Sequence, residues 1–219
     1  MHLKRKTIPK FWPIPKTGNK YLVTPSHEQY NSVPLLIVLR DIMRIAKTRK
    51  ELNKLLNEKK VEVNRKIVQE KAYPIALFDT LSLPSIGKHY RAVLSNKKIS
   101  FKEISEKEAG TRIYKLINKT VLPNKKVQLN FGLGRNVISS EKIKMGDFAV
   151  FDIAKNKILK IIPLEKETSV TVIGGKHIGK SGKIKELVNE GGNLIARISI
   201  DSGEKGELKT HIKNLFVIE

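Results

Sequence analysis

The stretch from Gly174 to Ser181, GGKHIGKS, is a literal match to a nucleotide-binding motif. It fits the pattern GxxxxGK[ST], in which backbone N–H groups and a lysine hold the phosphates of ATP or GTP. That loop works between a buried parallel strand and a helix whose N-terminus faces the phosphates. Here Lys183-Ile184-Lys185 alternates as a strand does, and only the last 38 residues follow Ser181. We therefore predict a glycine-rich loop between two strands, without nucleotide hydrolysis.

Other side chains that could do chemistry are scattered along the chain. Each of the five histidines stands isolated, with none at metal-ligand spacing to another. The absence of cysteine excludes disulfides and thiolate metal sites. No pairing of a nucleophile with a base can be assigned from the sequence. We expect no enzyme activity, no cofactor or metal, and no small-molecule substrate.

The charge of the chain points to a polyanionic partner. Lys and Arg number 43 against 21 Asp and Glu, which gives a net charge of +22 and a pI of about 10.1. Such an excess repels itself on folding unless a polyanion neutralises it, and this favours nucleic acid over a membrane surface. The longest apolar run, Val33–Leu39, is too short to span a bilayer, and Pro9, Pro13 and Pro15 interrupt any signal sequence. We expect a soluble, cytoplasmic protein with no membrane partner.

The segment from Pro34 to Val68 has the pattern of two short helices followed by a β-hairpin. In the first helix, Arg40, Arg44 and Lys47 recur at i, i+4 and i+7, which would place them on one face. Thr48 and Glu51 form a capping box, which predicts that a second helix begins there. The sequence therefore predicts a small core with a cationic outer face.

The hairpin is predicted from Val61 and Val63, which alternate with a polar residue, followed by Asn64-Arg65 at the turn. An arginine with positive φ costs on the order of 1 kcal/mol. Either the turn type differs, or the strain is tolerated because Arg65 adds a phosphate contact at the hairpin tip.

The first 33 residues read as an extended basic arm. No acid precedes Glu28, and five of the nine prolines fall at or before Pro34, which disfavours a helix. The lysines of the arm would contact phosphate. Trp12 has two interpretations, stacking on RNA or anchoring the arm to the next domain as a hydrophobic clip with Phe11.

Residues 89–166 alternate short apolar runs with turn signals, which predicts a β-rich domain. Arg135, in the sequence GLGRN, could touch RNA or simply follow a turn. Residues 167–219 read as a small β-barrel whose glycine loop carries Lys176, Lys180 and Lys183. Glycines allow the backbone to turn tightly and to approach RNA closely.

Several segments resemble known families. TRKELNKLLNEKKVEVNRK is similar to the helix-helix-hairpin RNA-binding module of ribosomal and RNA-modifying proteins, although Lys60 and Arg65 stand where that module usually has glycine. HLKR, WPIP, VPLLIVLRD and VQLNFGLGRN resemble the archaeal and eukaryotic type of small-subunit ribosomal protein four. VTVIGGKHIGKSGKIKEL is similar to a KOW motif. The resemblance implies a structural protein of the small ribosomal subunit that binds ribosomal RNA.

The fold that we predict is α+β, in four parts. These are an extended arm (1–33), a helix-helix-hairpin module (34–88), a central β-rich domain (89–166) and a KOW-type, SH3-like β-barrel (167–219). The expected partners are small-subunit ribosomal RNA and neighbouring ribosomal proteins. The alternatives are an RNA-modifying enzyme with the same module and a free RNA-binding regulator of translation. The predicted RNA contacts are Lys4, Arg5, Lys6, Lys10, Trp12, Lys16, Arg40, Arg44, Lys47, Thr48, Arg49, Lys50, Lys54, Lys60, Arg65, Lys66, Arg135, Lys176, His177, Lys180 and Lys183.

Overall fold

A computed structural model describes residues 2–28, 31–123, 126–139, 143–190, 193–200 and 207–218. The chain forms two compact units, Met1–Gly110 and Thr111–Glu219. Most of the regular structure is β, and the longest of the described helices has 9 residues.

The N-terminal segment is packed onto the first unit, so the prediction of a separate extended arm is wrong. Strand β1 (His2–Lys4) pairs antiparallel with β2 (Tyr21–Val23). Between these strands Trp12 enters the core, where its side chain is 2% exposed and its Nε1–H donates to the carbonyl of Ser32 at 3.0 Å. A buried indole that is hydrogen-bonded in this way anchors the segment, as in the clip interpretation.

Two helices follow β3 (Ser32–Pro34), which pairs with β6 (Pro74–Ala76). Helix α1 (Leu35–Ile37) continues as a π-helical turn over Val38–Ile42. Val33–Leu39 is buried throughout, in agreement with its unbroken apolar pattern. Helix α2 (Arg49–Asn57) buries Leu52 and Leu56 in the same core, and Thr48 caps it as predicted.

A five-stranded antiparallel sheet completes the first unit. Its strand order is β5-β4-β7-β8-β9. The strands are β4 (Glu62–Val63), β5 (Lys66–Ile67), β7 (Thr80–Leu83), β8 (Lys88–Ser95) and β9 (Lys98–Ile104). Because β8 pairs with β7 over its first four residues, the predicted boundary at residue 88 is wrong, and the first unit continues through the short helix α3 (Glu106–Ala109) to Gly110.

The second unit contains two five-stranded antiparallel sheets. The first has the order β12-β11-β10-β13-β14, and the second β18-β17-β16-β15-β19. The strands of the first are β10 (Thr111–Val121), β11 (Val127–Phe131), β12 (Arg135–Ile138), β13 (Phe148–Asp152) and β14 (Lys157–Ile162). Those of the second are β15 (Ser169–Val172), β16 (Ser181–Glu190), β17 (Asn193–Ile200), β18 (Glu207–His211) and β19 (Leu215–Val217).

Aromatic residues form much of the core of the second unit. The ring of Phe151 meets those of Tyr114 and Phe131 edge to face, with centroids 5.3 and 4.8 Å apart. Phe148 meets Phe216 of the other sheet at 5.3 Å. Such edge-to-face pairs add to the stabilisation that burial alone supplies, and the last of them joins the two sheets.

Candidate nucleic-acid interface

The end of the first helix sets the position of three predicted RNA contacts. The N–H of Met43 donates to the carbonyl of Val38, and the N–H groups of Ile45 and Ala46 both donate to that of Leu39. The helical segment therefore ends at Ile42, and the next residue but one, Arg44, has a φ of 56°.

Arg40, Arg44 and Lys47 do not share a helix face. Their spacing predicted a shared helix face, but Arg44 and Lys47 lie beyond the end of the helix. They nevertheless line one surface depression together with Arg40. The predicted helix face is therefore wrong, although the three cations share this depression.

The depression, which we call the basic groove, has a volume of about 550 Å³. It lies between the N-terminal segment and the end of the first helix, and residues of both segments line it. Four of its residues are cationic, one is acidic, and three are apolar. The lining residues are Arg5, Ile14, Pro15, Thr17, Arg40, Asp41, Arg44, Ala46 and Lys47.

Two of the arginines in the basic groove are held in place by hydrogen bonds. The Nε–H of Arg5 donates to the carbonyl of Asn19 at 2.7 Å, and Nη1 donates to that of Pro15 at 2.8 Å. Arg40 donates to both carboxylate oxygens of Asp41, at 2.9 and 2.8 Å. The hydrogen bond with Asp41 raises the pKa of Arg40 and offsets its charge.

Helix α2 presents further cations next to the groove in sequence. Arg49, Lys50 and Lys54 are all exposed. The hydroxyl of Thr48 accepts from the N–H of Glu51 at 3.2 Å, so its observed role is helix capping. The backbone N–H of Lys47 donates to Glu51 at 2.8 Å and lowers the pKa of that carboxyl, which stays charged beside the helix N-terminus.

The hairpin turn has positive φ at both central positions, 51° at Asn64 and 58° at Arg65. Of the two alternatives that the sequence left open, the second therefore holds: the turn keeps the left-handed conformation, and the strain at Arg65 is tolerated. The side chain of Asn64 stabilises the turn by donating to Asp79 at 2.8 Å and by accepting from the N–H of Thr80 at 3.0 Å. Arg65 is exposed at the tip, and its guanidinium lies against Gly110.

The remaining basic residues of the first unit differ in their surroundings. Lys60 forms an ion pair with Glu58 at 2.6 Å, and this hydrogen bond lowers the pKa of Glu58. The other predicted cations are exposed, namely Lys4, Lys6, Lys10, Lys16 and Lys66. Trp12 is the one predicted contact that burial contradicts, because an indole in the core has no face left for a base.

In the second unit the glycine loop lies between antiparallel strands β15 and β16. Gly175 and Gly179 have φ of 88° and 85°, a region that favours glycine. Ser181 begins a strand and not a helix, which confirms that GGKHIGKS lacks the helix a nucleotide-phosphate loop requires. Lys176 is exposed, whereas His177 and Lys180 are half-buried.

The last two predicted contacts lie on strands. Lys183 is exposed on β16. Arg135 is half-buried at the start of β12, where its guanidinium donates to the side-chain oxygen of Asn156. This bond ties Arg135 to the turn between β13 and β14.

Four groove residues were missed as site residues, namely Ile14, Pro15, Thr17 and Ala46. Asp41, the partner of Arg40, was also missed. The only signal for Ile14 and Pro15 was the WPIP segment, which resembles the family but does not indicate a binding site. A sequence of apolar and polar residues between prolines carries no indication that it will lie beside an arginine cluster.

Within the described ranges, no group of three or more His, Asp or Glu side chains is arranged to hold a metal ion. None of the helices in the described part of the chain is both long and apolar enough to cross a bilayer.

Comparisons with known proteins identify the class of protein to which this chain belongs. The profile of the ribosomal family S4e matches residues 86–158. The small ribosomal subunit protein eS4 of Methanothermobacter thermautotrophicus is 35% identical, over 85% of this chain and 78% of the relative. That of Methanocella arvoryzae is 33% identical, over 99% of this chain and 93% of the relative.

A solved structure has the same fold. The crystal structure of the 30S ribosomal protein S4e from Thermoplasma acidophilum matches with a TM-score of 0.72 at 24% identity, over 86% of this chain and 95% of the other. The present chain belongs to the S4e family of ribosomal proteins. Proteins of this family are structural ribosomal constituents and not enzymes.

Proposed function

We propose that this protein is a structural component of the small ribosomal subunit and that it binds the ribosomal RNA of that subunit. One observation carries the RNA-binding part, namely the convergence of Arg5, Arg40, Arg44 and Lys47 in the basic groove. The acid among them, Asp41, offsets one arginine, so the groove keeps a net positive charge. A phosphate backbone is the ligand whose charge this surface would neutralise.

Three further features support the proposal. Helix α2 adds exposed cations directly after the groove residues in sequence. Arg65 and Lys66 add charge at the hairpin, and we assign this helix-helix-hairpin arrangement the role of an RNA-binding module. In the second unit, the loop that bears Lys176, His177 and Lys180 would act as a KOW-type contact, with Lys183 and Arg135 as further candidates. In an SH3-like barrel such a loop would reach RNA through its backbone as well as its lysines.

The proposed partners are small-subunit ribosomal RNA and neighbouring ribosomal proteins, in the cytoplasmic ribosome. Exposed apolar side chains on the second unit fit a protein neighbour better than RNA. They include Ile117, Val121, Leu133 and Ile138, each more than half exposed.

The salt dependence of RNA binding tests the proposal. We expect log K for the full chain with its small-subunit RNA to fall steeply with log salt, and the slope to decrease by about 0.7–0.9 for each phosphate contact removed. Neutralising Arg44, Lys47, Arg49 and Lys50 to glutamine should therefore flatten the slope.

A charge-matched control uses four exposed lysines of β9, its preceding turn and α3, which we assign to no RNA contact. The control carries Gln at Lys97, Lys98, Lys102 and Lys107. If both quadruple variants change the slope equally, the surface formed by the basic groove and the start of α2 is not the interface, and only the overall charge matters.

Sedimentation separates the structural role from the two alternatives. A ribosomal constituent should co-migrate permanently with small subunits at physiological salt. A persistent free pool would favour a regulator of translation, and a free pool that modifies RNA would favour an RNA-modifying enzyme.

A further inference from the structure

The basic groove differs from the rest of the cationic surface because it also has apolar walls. Ile14, Pro15 and Ala46 line it together with the cations. A bare phosphate backbone needs only exposed lysines and arginines, such as those on α2. A depression with both kinds of wall matches a ligand that has a phosphate and a flat, largely apolar ring.

Arg5 is preorganised at one wall. Two of its N–H groups are engaged by the carbonyls of Asn19 and Pro15, which leaves the guanidinium with unused donors and a fixed orientation. Gly18 has a φ of 123°, and a Cβ built there would stand 3.2 Å from Cζ of Arg5. A guanidinium held in this way loses little freedom when it binds a phosphate or stacks on a base.

Arg44 lies just beyond the helix, where the chain takes the left-handed conformation. Helices commonly end with glycine in this region, because glycine has no Cβ penalty there. Arg44 adopts a φ of 56° and its side chain is exposed in the groove. Other non-glycine residues, Phe78 and Leu133 among them, share this conformation, so the backbone makes glycine a suitable replacement at this position but does not by itself indicate a ligand.

Asp41 gives the groove its selectivity. Both carboxylate oxygens accept from Arg40, and each retains a further acceptor site. A carboxylate repels a simple anion, but it can accept from the hydroxyl of a ribose or the amino group of a base. The groove should therefore prefer a nucleoside phosphate to phosphate alone.

We propose that the basic groove binds a single unstacked nucleotide of the RNA. Arg5, Arg44 and Lys47 would hold its phosphate, and its base would lie against Ile14 and Pro15. A volume of about 550 Å³ lies within the ordinary range for small-ligand sites. Unstacked nucleotides are the usual target of specific RNA recognition. This inference rests on the proposed function and adds the ligand to that site.

The first experiment titrates the full, isotope-labelled chain with each nucleoside 5′-monophosphate, inorganic phosphate and adenosine, and records backbone NMR shifts. We expect at least one nucleotide to shift the amide signals of Ile14, Thr17 and Ala46 and to bind more tightly than either phosphate or adenosine. Equal binding of phosphate, with no shift at Ile14, would reduce the groove to an anion site and overturn the inference.

The decisive variant is Arg44→Gly, because glycine suits the backbone at this position and removes only the side chain. We expect an unchanged or higher Tm and about tenfold weaker nucleotide binding, the effect of one charge-assisted contact. Lys102→Gln, which removes an exposed charge outside the groove, should bind as the wild type does. Nucleotide affinity within twofold of wild type in Arg44→Gly would overturn the inference.

Equilibrium dialysis of labelled nucleotide against the protein–RNA complex tests whether the groove is occupied by a nucleotide of the bound RNA or stays open to a free nucleotide. We expect the complex to take up at least tenfold less nucleotide than the free protein, because RNA already fills the groove. Unchanged uptake would overturn the inference while leaving RNA binding intact. A wild-type protein that fails to bind RNA would instead overturn the proposed function.

Discussion

The indole N–H of Trp12 donates to the carbonyl of Ser32 at 3.0 Å, across 20 positions of the sequence. This bond, with the burial of the ring, ties the N-terminal segment to the strand that precedes the first helix. The segment also supplies Arg5, Ile14 and Pro15 to the basic groove. The tryptophan thus contributes to the groove through packing and not through contact with RNA.

We predict that Trp12→Ala lowers the free energy of unfolding by about 3–5 kcal/mol, the usual cost of removing a large buried ring. Trp12→Phe should cost less, because it keeps most of the burial and loses mainly the bond to Ser32. Urea unfolding measures both. If Trp12 stacked on RNA instead, Trp12→Ala would weaken RNA binding with little change in stability.

At the hairpin tip, Arg65→Gly should raise stability and weaken RNA binding together. Glycine removes a left-handed strain on the order of 1 kcal/mol, while the lost charge should lower the salt slope by about 0.7–0.9. Thermal unfolding and salt-dependent RNA binding provide the two readouts. An unchanged slope would mean that Arg65 makes no phosphate contact.

Gly110→Ala tests the packing of the same guanidinium. A Cβ at Gly110 would lie 2.9 Å from Nη2 of Arg65, too close unless the side chain moves. Since Arg65 is exposed and flexible, we expect a stability loss below about 1 kcal/mol. Combining Gly110→Ala with Arg65→Gly should abolish that loss, whereas a loss that persists would point to the backbone of Gly110.

The helix cap, the position of the hairpin turn and the strand after Ser181 could be predicted from the sequence. The Thr48–Glu51 capping box correctly predicted the start of α2, since both partners lie within one turn. The hairpin turn at Asn64-Arg65 and the strand after Ser181 were also predicted. For the capping box the deciding hydrogen bond joins residues three positions apart, whereas the turn is also held by bonds from Asn64 to the distant Asp79 and Thr80.

Non-local pairing was not readable in this way. The prolines and basic residues of 1–33 predicted an extended arm. The hydrogen bond from Trp12 to the carbonyl of Ser32 could not be predicted, because folding alone brings these two residues together. The boundary at residue 88 failed because β8 belongs to a sheet begun at Glu62. The prediction of a shared helix face was wrong at Arg44. The backbone leaves the helix there, although the basic residues are spaced in the sequence as they would be on a helix.

Among the glycines in the described part of the second unit, Gly182 has the least room for a side chain. A Cβ there would collide with the backbone carbonyl of Ser199 on the paired strand. We expect Gly182→Ala to destabilise the protein by more than about 3 kcal/mol, because backbone on the partner strand must shift. Gly134→Ala is the control, since its φ is 74° but nothing lies within 4 Å of the added Cβ. That variant should cost only about 1 kcal/mol of strain, and equal losses would show that the collision at Gly182 costs no more than left-handed strain does at Gly134.

Lys115 should make the stability of the protein depend on alkaline pH. Its ammonium is mostly buried above the ring of Phe148, with Nζ 5.5 Å from the centroid, and it donates to the carbonyl of Ile212. Burial lowers the pKa of Lys115 from 10.5 to about 8. Between these two values the unfolded chain binds a proton that the folded protein has lost, so this group makes stability rise with pH.

Lys115→Met isolates that contribution, because it removes the amine and keeps a long apolar side chain. Below pH 8 the cost of burying the charge is fully present in the wild type. The free energy of unfolding of Lys115→Met, relative to that of the wild type, should therefore be highest there. From about pH 8 to 10 its advantage should shrink by about 1 kcal/mol per pH unit. The slope stays below the one-proton limit of about 1.4 kcal/mol per pH unit because Lys115 is partly titrated near both ends of this range. Water that still reaches the side chain reduces the pKa shift, and with it the total change. Urea unfolding of both proteins at half-unit steps measures this difference. A difference that stays constant over that range would mean that Lys115 keeps its ordinary pKa in the folded protein.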